Sequence, residues 1–420
     1  MKKYVLVGTG HRGTMAYIVP LTKDMQDCVQ LCGVYDINPK RAKAAASMAA
    51  YPVEVFDDFD KMLNTVQPDK VIVTTIDAKH HEYIIKALEF GCDVVSEKPI
   101  TTDAEKMNAI YAAEQRTGHR VQVTFNMRFM PNYMRIKELL QQGIIGTPYN
   151  AHFEWLLDTS HGADYFRRWH RERKNSGSLL IHKSTHHFDM LNWLLDDEPQ
   201  SVYAIGTRRF YGATRANHGE RCMDCQYKDE CEYYFDVKED EFYKKIYVDC
   251  ESEDGYYRDG CIFSEKIDIE DTIGLTIKYR KGAVATYSLA AHSPYEGMHL
   301  NINGSEGRME IVILAAQGIF AGAKRVSITV YNRLGEKMDI EPKISATMHK
   351  LPRFARCLAG GHGGSDMLLC DMIFRGTDVD PMNLLADSRA GAMSIGIGIA
   401  ANLSMKENRE VTIEELYDFL

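Results

Sequence analysis

The run Tyr4-Val5-Leu6-Val7-Gly8-Thr9-Gly10-His11-Arg12-Gly13 reads as an apolar strand feeding a glycine-rich turn that opens a helix. A helix N-terminus offers unpaired N–H groups and partial positive charge, both suited to a pyrophosphate. Gly8 permits the tight turn, Gly10 lets a phosphate approach the backbone, and Gly13 lets helix and strand pack closely. The spacing G-x-G-x-x-G is weak by itself, because glycine turns are common. A second apolar run, Leu31-Cys32-Gly33-Val34-Tyr35, strengthens it by ending in Asp36. An acid at the end of the second strand, roughly 20–30 residues past the glycines, accepts hydrogen bonds from ribose hydroxyls. The competing reading makes Asp36 the start of the Asn38-Pro39 turn. Together the two runs predict a dinucleotide site. Asp36 also repels a 2′-phosphate, so NAD is expected over NADP.

Working outward, residues 1–125 alternate strand and helix, with apolar strands at 4–8, 31–35, 71–75, 93–96 and 121–124. Helical patterns lie at 12–25, 39–49 and 80–91. Such alternation predicts a doubly wound parallel sheet covered on both faces, with ligands beyond the carboxyl ends of its strands. Gly8–Gly13, Thr74–Asp77 and Ser96–Pro99 occupy those ends. From 126 to 420 the texture changes. A helix at 131–142 precedes a strand at 149–157, and an Arg-, His- and Trp-rich loop is expected over 158–178. After a helix near 184–195, strands at 202–205, 272–279, 283–289, 299–302, 308–313 and 326–331 predict a large, open, mostly antiparallel sheet. The expected class is therefore α/β: a Rossmann domain plus a C-terminal α+β domain for substrate and oligomer contacts. A helical tail is expected over 350–420.

The chain has 420 residues and a net charge of −9, which argues against a nucleic-acid partner. No apolar run approaches a membrane span. The start runs directly into a strand, unlike a secretory signal, so a cytoplasmic protein is expected.

Further along stand Glu97-Lys98-Pro99 at a strand end and His186-His187-Phe188-Asp189 at a helix start. With the glycine turn, this ordered set resembles the glucose–fructose oxidoreductase/inositol dehydrogenase family (Gfo/Idh/MocA), over most of the chain. The resemblance implies hydride transfer at a sugar or polyol carbon and pairing into dimers or tetramers through the open sheet. It also implies that Lys98 and His186 are the catalytic lysine and histidine, and that Thr75, His80, Glu97 and Lys98 join Gly8, Gly10, His11, Arg12, Gly13 and Asp36 around the cofactor. Two departures stand out. The family's Asp four residues before its catalytic histidine is His182 here, and its Thr-Pro-Asn reads Thr75-Ile76-Asp77.

Alcohol oxidation needs a base for the hydroxyl proton and an acceptor for hydride, the latter being the nicotinamide. A histidine side chain titrates near neutrality in general, so a histidine at 186 suits the base. Lys98 suits stabilisation of alkoxide character, and burial beside a positive nicotinamide would make it an alternative base or a relay partner. Without the resemblance, Lys98 reads as a solvated strand-end lysine and His186 as a helix cap. His182 and His186 lie one helical turn apart, a spacing that also fits two metal ligands, but no third is apparent. His182 is expected instead to hydrogen-bond substrate or orient a neighbour. Arg168 and Trp169 suit a sugar, the ring stacking on C–H faces and the guanidinium forking oxygens, or else an oligomer contact. Lys183 fits an anionic or hydroxylated substrate, or a surface position. His362, in Gly360-Gly361-His362-Gly363-Gly364, lies in a loop able to approach a ligand closely.

Five of ten cysteines fall in an insertion at about 212–265: Cys222, Cys225, Cys231, Cys250 and Cys261. The first three with Cys250 or Cys261 form an expected ligand set for structural zinc or an iron–sulfur cluster. A disulfide and free thiols are the alternatives. The insertion is too polar to hold a core of its own, which favours a metal staple.

The function expected is an NAD-dependent oxidoreductase for a sugar, glycoside or cyclitol. The rivals are redox-neutral, NAD-dependent glycoside cleavage and a non-catalytic dinucleotide and sugar sensor.

Overall fold

The computed structural model describes residues 1–315, 326–342 and 364–420. Six parallel strands form the first sheet: β1 (Lys2–Val7), β2 (Val29–Tyr35), β3 (Glu54–Phe56), β4 (Lys70–Val73), β5 (Asp93–Ser96) and β6 (Val121–Val123). Their order, β6-β5-β4-β1-β2-β3, places β1 centrally, with its carboxyl end at the point where the order reverses. Val5, Leu6, Val7, Val71, Ile72 and Val73 are fully buried, as a sheet covered on both faces requires.

The second sheet is built from β7 (Pro148–Asp158), β8 (Pro199–Thr207), β9 (Thr272–Tyr279), β10 (Val284–Ser293), β11 (Gly297–Gly304), β12 (Gly307–Leu314), β13 (Val326–Asn332) and β14 (Lys337–Ile340). All neighbours run antiparallel except the central pair β7–β10. Along β9 burial alternates strictly, so one face packs on helices and the other meets solvent.

The tail differs from the all-helical expectation. Helices cover Ser365–Cys370 and Ser388–Glu407, but β15 (Ala386–Asp387) pairs with β6 in the first sheet, and β16 (Val411–Thr412) pairs with β8 in the second. Two-residue strands have no periodicity to read, and tertiary pairing alone creates them. The expected loop at 158–178 is likewise mostly helical: Thr159–Arg167, Trp169–Arg171 and Arg173–Ser176. Asp158 caps the first of these by accepting from His161 N (2.9 Å). Phe166 stacks on Tyr211 beneath it at 3.9 Å. Its charged residues masked that apolar stripe.

The helix Ser388–Glu407 supports the site from below. A Cβ on Gly398 would lie 2.7 Å from Leu180 O, so glycine allows this helix to abut the short helix Leu179–His182. Ser178, at φ 130°, begins that short helix, and Asn402 Nδ2 donates to Gly177 O (2.9 Å) beside it.

Candidate active site

The glycine turn is pinned between strand ends. Gly8 N donates to Tyr35 O (2.9 Å) and Thr74 Oγ1 to Val7 O (3.1 Å). Gly8 has φ +93°, and a Cβ on Gly13 would lie 2.2 Å from Gly8 O, so both positions demand glycine. A Cβ on Gly10 would find only Tyr247 Oη, at 3.6 Å, within contact range, so the backbone here is open to a ligand. Asp36 ends β2 and accepts from Thr9 N (2.7 Å), Thr9 Oγ1 (3.0 Å) and Asn38 N (2.9 Å). It therefore both holds the turn and lines the cavity. The residues present fit a dinucleotide: a pyrophosphate against the turn and a ribose against Asp36.

Arg12 and His11 also line this cavity, but their side chains are committed. Arg12 pairs with Glu97 (2.7 Å) and with Asp366 (2.8 Å), tying the turn to the end of β5 and to the tail. The His11 ring meets Phe242 and Tyr243 edge-on, and burial pulls its pKa down to about 4. His80 is buried, its ring between Pro99 O (2.8 Å) and Thr75 O (3.0 Å), so it braces two strand-end turns. Glu97 accepts from Tyr17 Oη (2.7 Å) as well as from Arg12.

From this cradle one cavity of about 680 Å³ runs to the helices of the C-terminal half, lined by Thr75, Asp77, Lys98, His161, Arg168, Trp169, His182, Lys183 and His186 among others. Lys98 Nζ donates to His182 O (3.1 Å), one helical turn before His186. Burial lowers the pKa of Lys98, while Asp77 and Glu97 oppose that shift. The His182 Nδ1 lies 2.6 Å from Asp77 Oδ2. Burial opposes charge on both partners, raising the carboxyl pKa and lowering the imidazole pKa, so the pair holds one proton between them. The His182 ring packs on His170 (centroids 4.0 Å) and edge-on to Trp169 (5.5 Å). Arg168 is held by Asp164 (2.7 Å), which also binds Arg258 (2.6 Å). Asp189 points away from the cavity into a buried pair with Arg128 (2.5 Å). His362 lies outside the described residues.

The family described as "Oxidoreductase family, NAD-binding Rossmann fold" matches residues 2–125, and "Oxidoreductase family, C-terminal alpha/beta domain" matches residues 137–413. The chain belongs to the Gfo/Idh/MocA oxidoreductase family. The Bacillus subtilis (strain 168) protein YteT is 34% identical over 442 residues, covering 99% of each chain. Inositol 2-dehydrogenase of Klebsiella pneumoniae (strain 342) is 30% identical over 217 residues, covering 51% of this chain and 60% of its own. Among solved structures, the WlbA dehydrogenase from Bordetella pertussis, in complex with NADH and UDP-GlcNAcA, superposes with TM-score 0.67 at 18% identity, covering 98% and 97%. The Caulobacter crescentus aldose-aldose oxidoreductase, complexed with glycerol, does so with TM-score 0.63 at 16% identity, covering 98% and 99%. These two likenesses concern the fold.

Within this Gfo/Idh/MocA chain the two departures seen in the sequence meet in space. The imidazole at 182 faces the carboxylate at 77, which follows β4 of the first sheet. Sequence reading noted both positions without pairing them, because 105 residues separate them. It also missed the insertion's share of the cavity. Tyr247, Asp254 and Tyr256 line it, and His11 N donates to Tyr247 Oη (2.9 Å). Arg41 ties Asp254 (2.7 Å) to the region of Asp36 (3.4 Å).

The expected metal centre finds no support. Among the described residues, no group of three or more His, Cys, Asp or Glu side chains is placed to hold a metal ion. Cys222, Cys225, Cys231, Cys250 and Cys261 are free thiols. Cys222, Cys225, Cys231 and Cys261 border one surface cavity, while Cys250 Sγ donates to Lys245 O elsewhere. Arg167 Nη1 donates to Cys222 Sγ (3.0 Å), a cation where a ligand set would want another thiolate. The insertion is held by other means. Arg221 pairs with Glu251 and Asp259 (both 2.7 Å), and Ile246 and Tyr247 pack into the Rossmann core with Leu6, Ile18 and Leu21. A polar insertion that borrows its neighbour's core needs no core of its own.

Proposed function

We propose that this protein transfers hydride between NAD and a hydroxyl-bearing carbon of a sugar, glycoside or cyclitol. The observation that carries this reading is the reach of Lys98, from the end of β5, to the carbonyl of His182 one turn from His186, inside the cavity that begins at the glycine turn. Bound NAD supplies the hydride acceptor. Oxidising an alcohol also releases the hydroxyl proton, and His186 takes it. Lys98 donates a hydrogen bond to the same oxygen as it gains alkoxide character. The Asp77–His182 pair orients the backbone carbonyl that holds Lys98. Trp169 and Tyr165 offer flat faces to a sugar ring. Asp36 supports NAD over NADP.

The inositol dehydrogenase relatives support a polyol or sugar substrate. Residues 126–420 are assigned substrate and oligomer contacts, with a homodimer or homotetramer formed through the solvent face of the second sheet. No described helix is long and apolar enough to cross a membrane, which accords with a cytoplasmic setting.

The test is a panel of sugars and glycosides presented to the NAD-loaded protein while nicotinamide absorbance is followed. Lys98→Met is expected to retain NAD binding and to lose turnover by about 10³-fold or more. Unchanged turnover in that variant defeats the assignment. A second reading, redox-neutral cleavage of a glycoside, draws support from the strap that Tyr247 and Asp254 lay beside the cradle, which favours a retained cofactor. Aglycone release with no net NADH would select it.

A further inference from the structure

Lys183 has no part in the proton transfer described above. The residue is 8% exposed and lines the cavity, and the ammonium sits 4.9 Å from the centre of the Trp155 ring. It has no hydrogen bond or ion pair among the described residues. The other strong cations here are matched. Arg12 has Glu97 and Asp366, Arg168 and Arg258 share Asp164, and Lys98 has the His182 carbonyl. The acid that acts most on Lys183 is Glu296, and His161 holds it at 2.7 Å. One buried ammonium is therefore left over, resting on an aromatic face and open to the substrate space.

A charge out of water without a partner is unfavourable, and an indole face offsets only part of that. Here burial draws the Lys183 pKa down to about 8, and Lys98 adds to the shift. A carboxylate arriving in the cavity would remove the penalty. A neutral sugar would leave it in place. The position also fits: Lys183 follows His182 and precedes His186 by three residues, so it flanks the proposed reacting centre without belonging to it.

We propose that Lys183 is a carboxylate subsite and that the substrate is a sugar acid, its carboxylate on Lys183 and its reacting hydroxyl toward Lys98 and His186. The placement of the hydroxyl rests on the hydride-transfer reading. The carboxylate subsite does not.

The experiment uses the full chain loaded with NAD and two matched pairs of probes, galacturonate against galactose and glucuronate against glucose. Binding is read from tryptophan fluorescence, since Trp155 and Trp169 flank the site, and turnover from nicotinamide absorbance. At least one acid is expected to bind 10-fold or more tightly than its neutral partner (roughly the worth of one charge-assisted hydrogen bond). Lys183→Met should bring acid and neutral partner to the same level, and Lys183→Arg should keep most of the preference. Thermal unfolding and NAD affinity at wild-type values in both variants show that the fold is intact, and Lys183→Gln stands in should the Met variant fail that check. Equal binding of acid and neutral partner, no binding of either acid, or a preference that survives Lys183→Met overturns the subsite. Lys183-dependent binding of the acid without hydride transfer upholds the subsite and defeats the hydride reading. Turnover of neutral sugars with no acid preference does the reverse.

Discussion

At the scale of single residues, two positions that depart from the family pattern meet in the cavity. The family pattern places a carboxylate four residues before the histidine and an amide at the Thr-Pro-Asn turn. This chain has His182 and Asp77 at those places, 2.6 Å apart. An imidazole thus stands where the family has its carboxylate, and the acid now comes from the Rossmann side. Asp77→Ala is expected to lower kcat by about 10²-fold while leaving the NAD dissociation constant near wild type, because His182 loses the group that orients it. Combining Asp77→Asn with His182→Asp should give more activity than either substitution alone. Steady-state kinetics checks both statements, and a double variant no better than the worse single would show that the two positions do not act as a pair. Arg128 and Asp189 illustrate the opposite case, a buried ion pair with a structural task. Arg128→Met strands a carboxylate and should cost about 3–5 kcal/mol in unfolding free energy by chemical denaturation.

At the scale of elements, the groups proposed to react ride on short pieces whose positions are set from behind. The helix Leu179–His182 has four residues and too few internal hydrogen bonds to stand alone. It is held by Ser178, by Asn402 and by the close approach of the helix Ser388–Glu407 at Gly398. Gly398→Ala would place a methyl 2.7 Å from Leu180 O, a backbone atom that cannot swing away. The expected cost is about 1–3 kcal/mol, with a fall in kcat from displacement of His182 and Lys183. A thermal midpoint and kcat both unchanged would show that the contact is not tight. The loop expected at 158–178 became helix for a related reason: its aromatic residues find partners, such as Tyr211, that lie far along the chain.

At the scale of the whole molecule, the dinucleotide cradle is completed by a part of the chain outside the Rossmann sheet. The insertion at about 212–265 reaches back so that Tyr247 Oη accepts from His11 N, and Arg41 joins Asp254 near Asp36. Arg12, through Asp366, adds the tail to the same junction. Both parts of the chain therefore border the cradle. Tyr247→Phe removes one hydrogen bond at the edge of the cradle, worth about 1 kcal/mol, and should speed NADH release roughly fivefold in stopped-flow fluorescence. An unchanged release rate would remove the insertion from the cofactor site.

The first sheet and its glycine turn were legible in the sequence, since continuous apolar runs, a fixed glycine spacing and Asp36 are local signals. Lys98 and His186 stand out in the sequence through the order of their motifs, and both line one cavity. The metal expected at the thiol cluster finds no support among the described residues: four of the cysteines border one cavity, but an arginine stands at one thiol and Cys250 lies apart. The Asp77–His182 pair, the unmatched ammonium of Lys183 and the reach of Tyr247 were decided only by tertiary structure. Each joins residues from different elements, and burial, which sets the cost of a charge, exists only once those elements have packed.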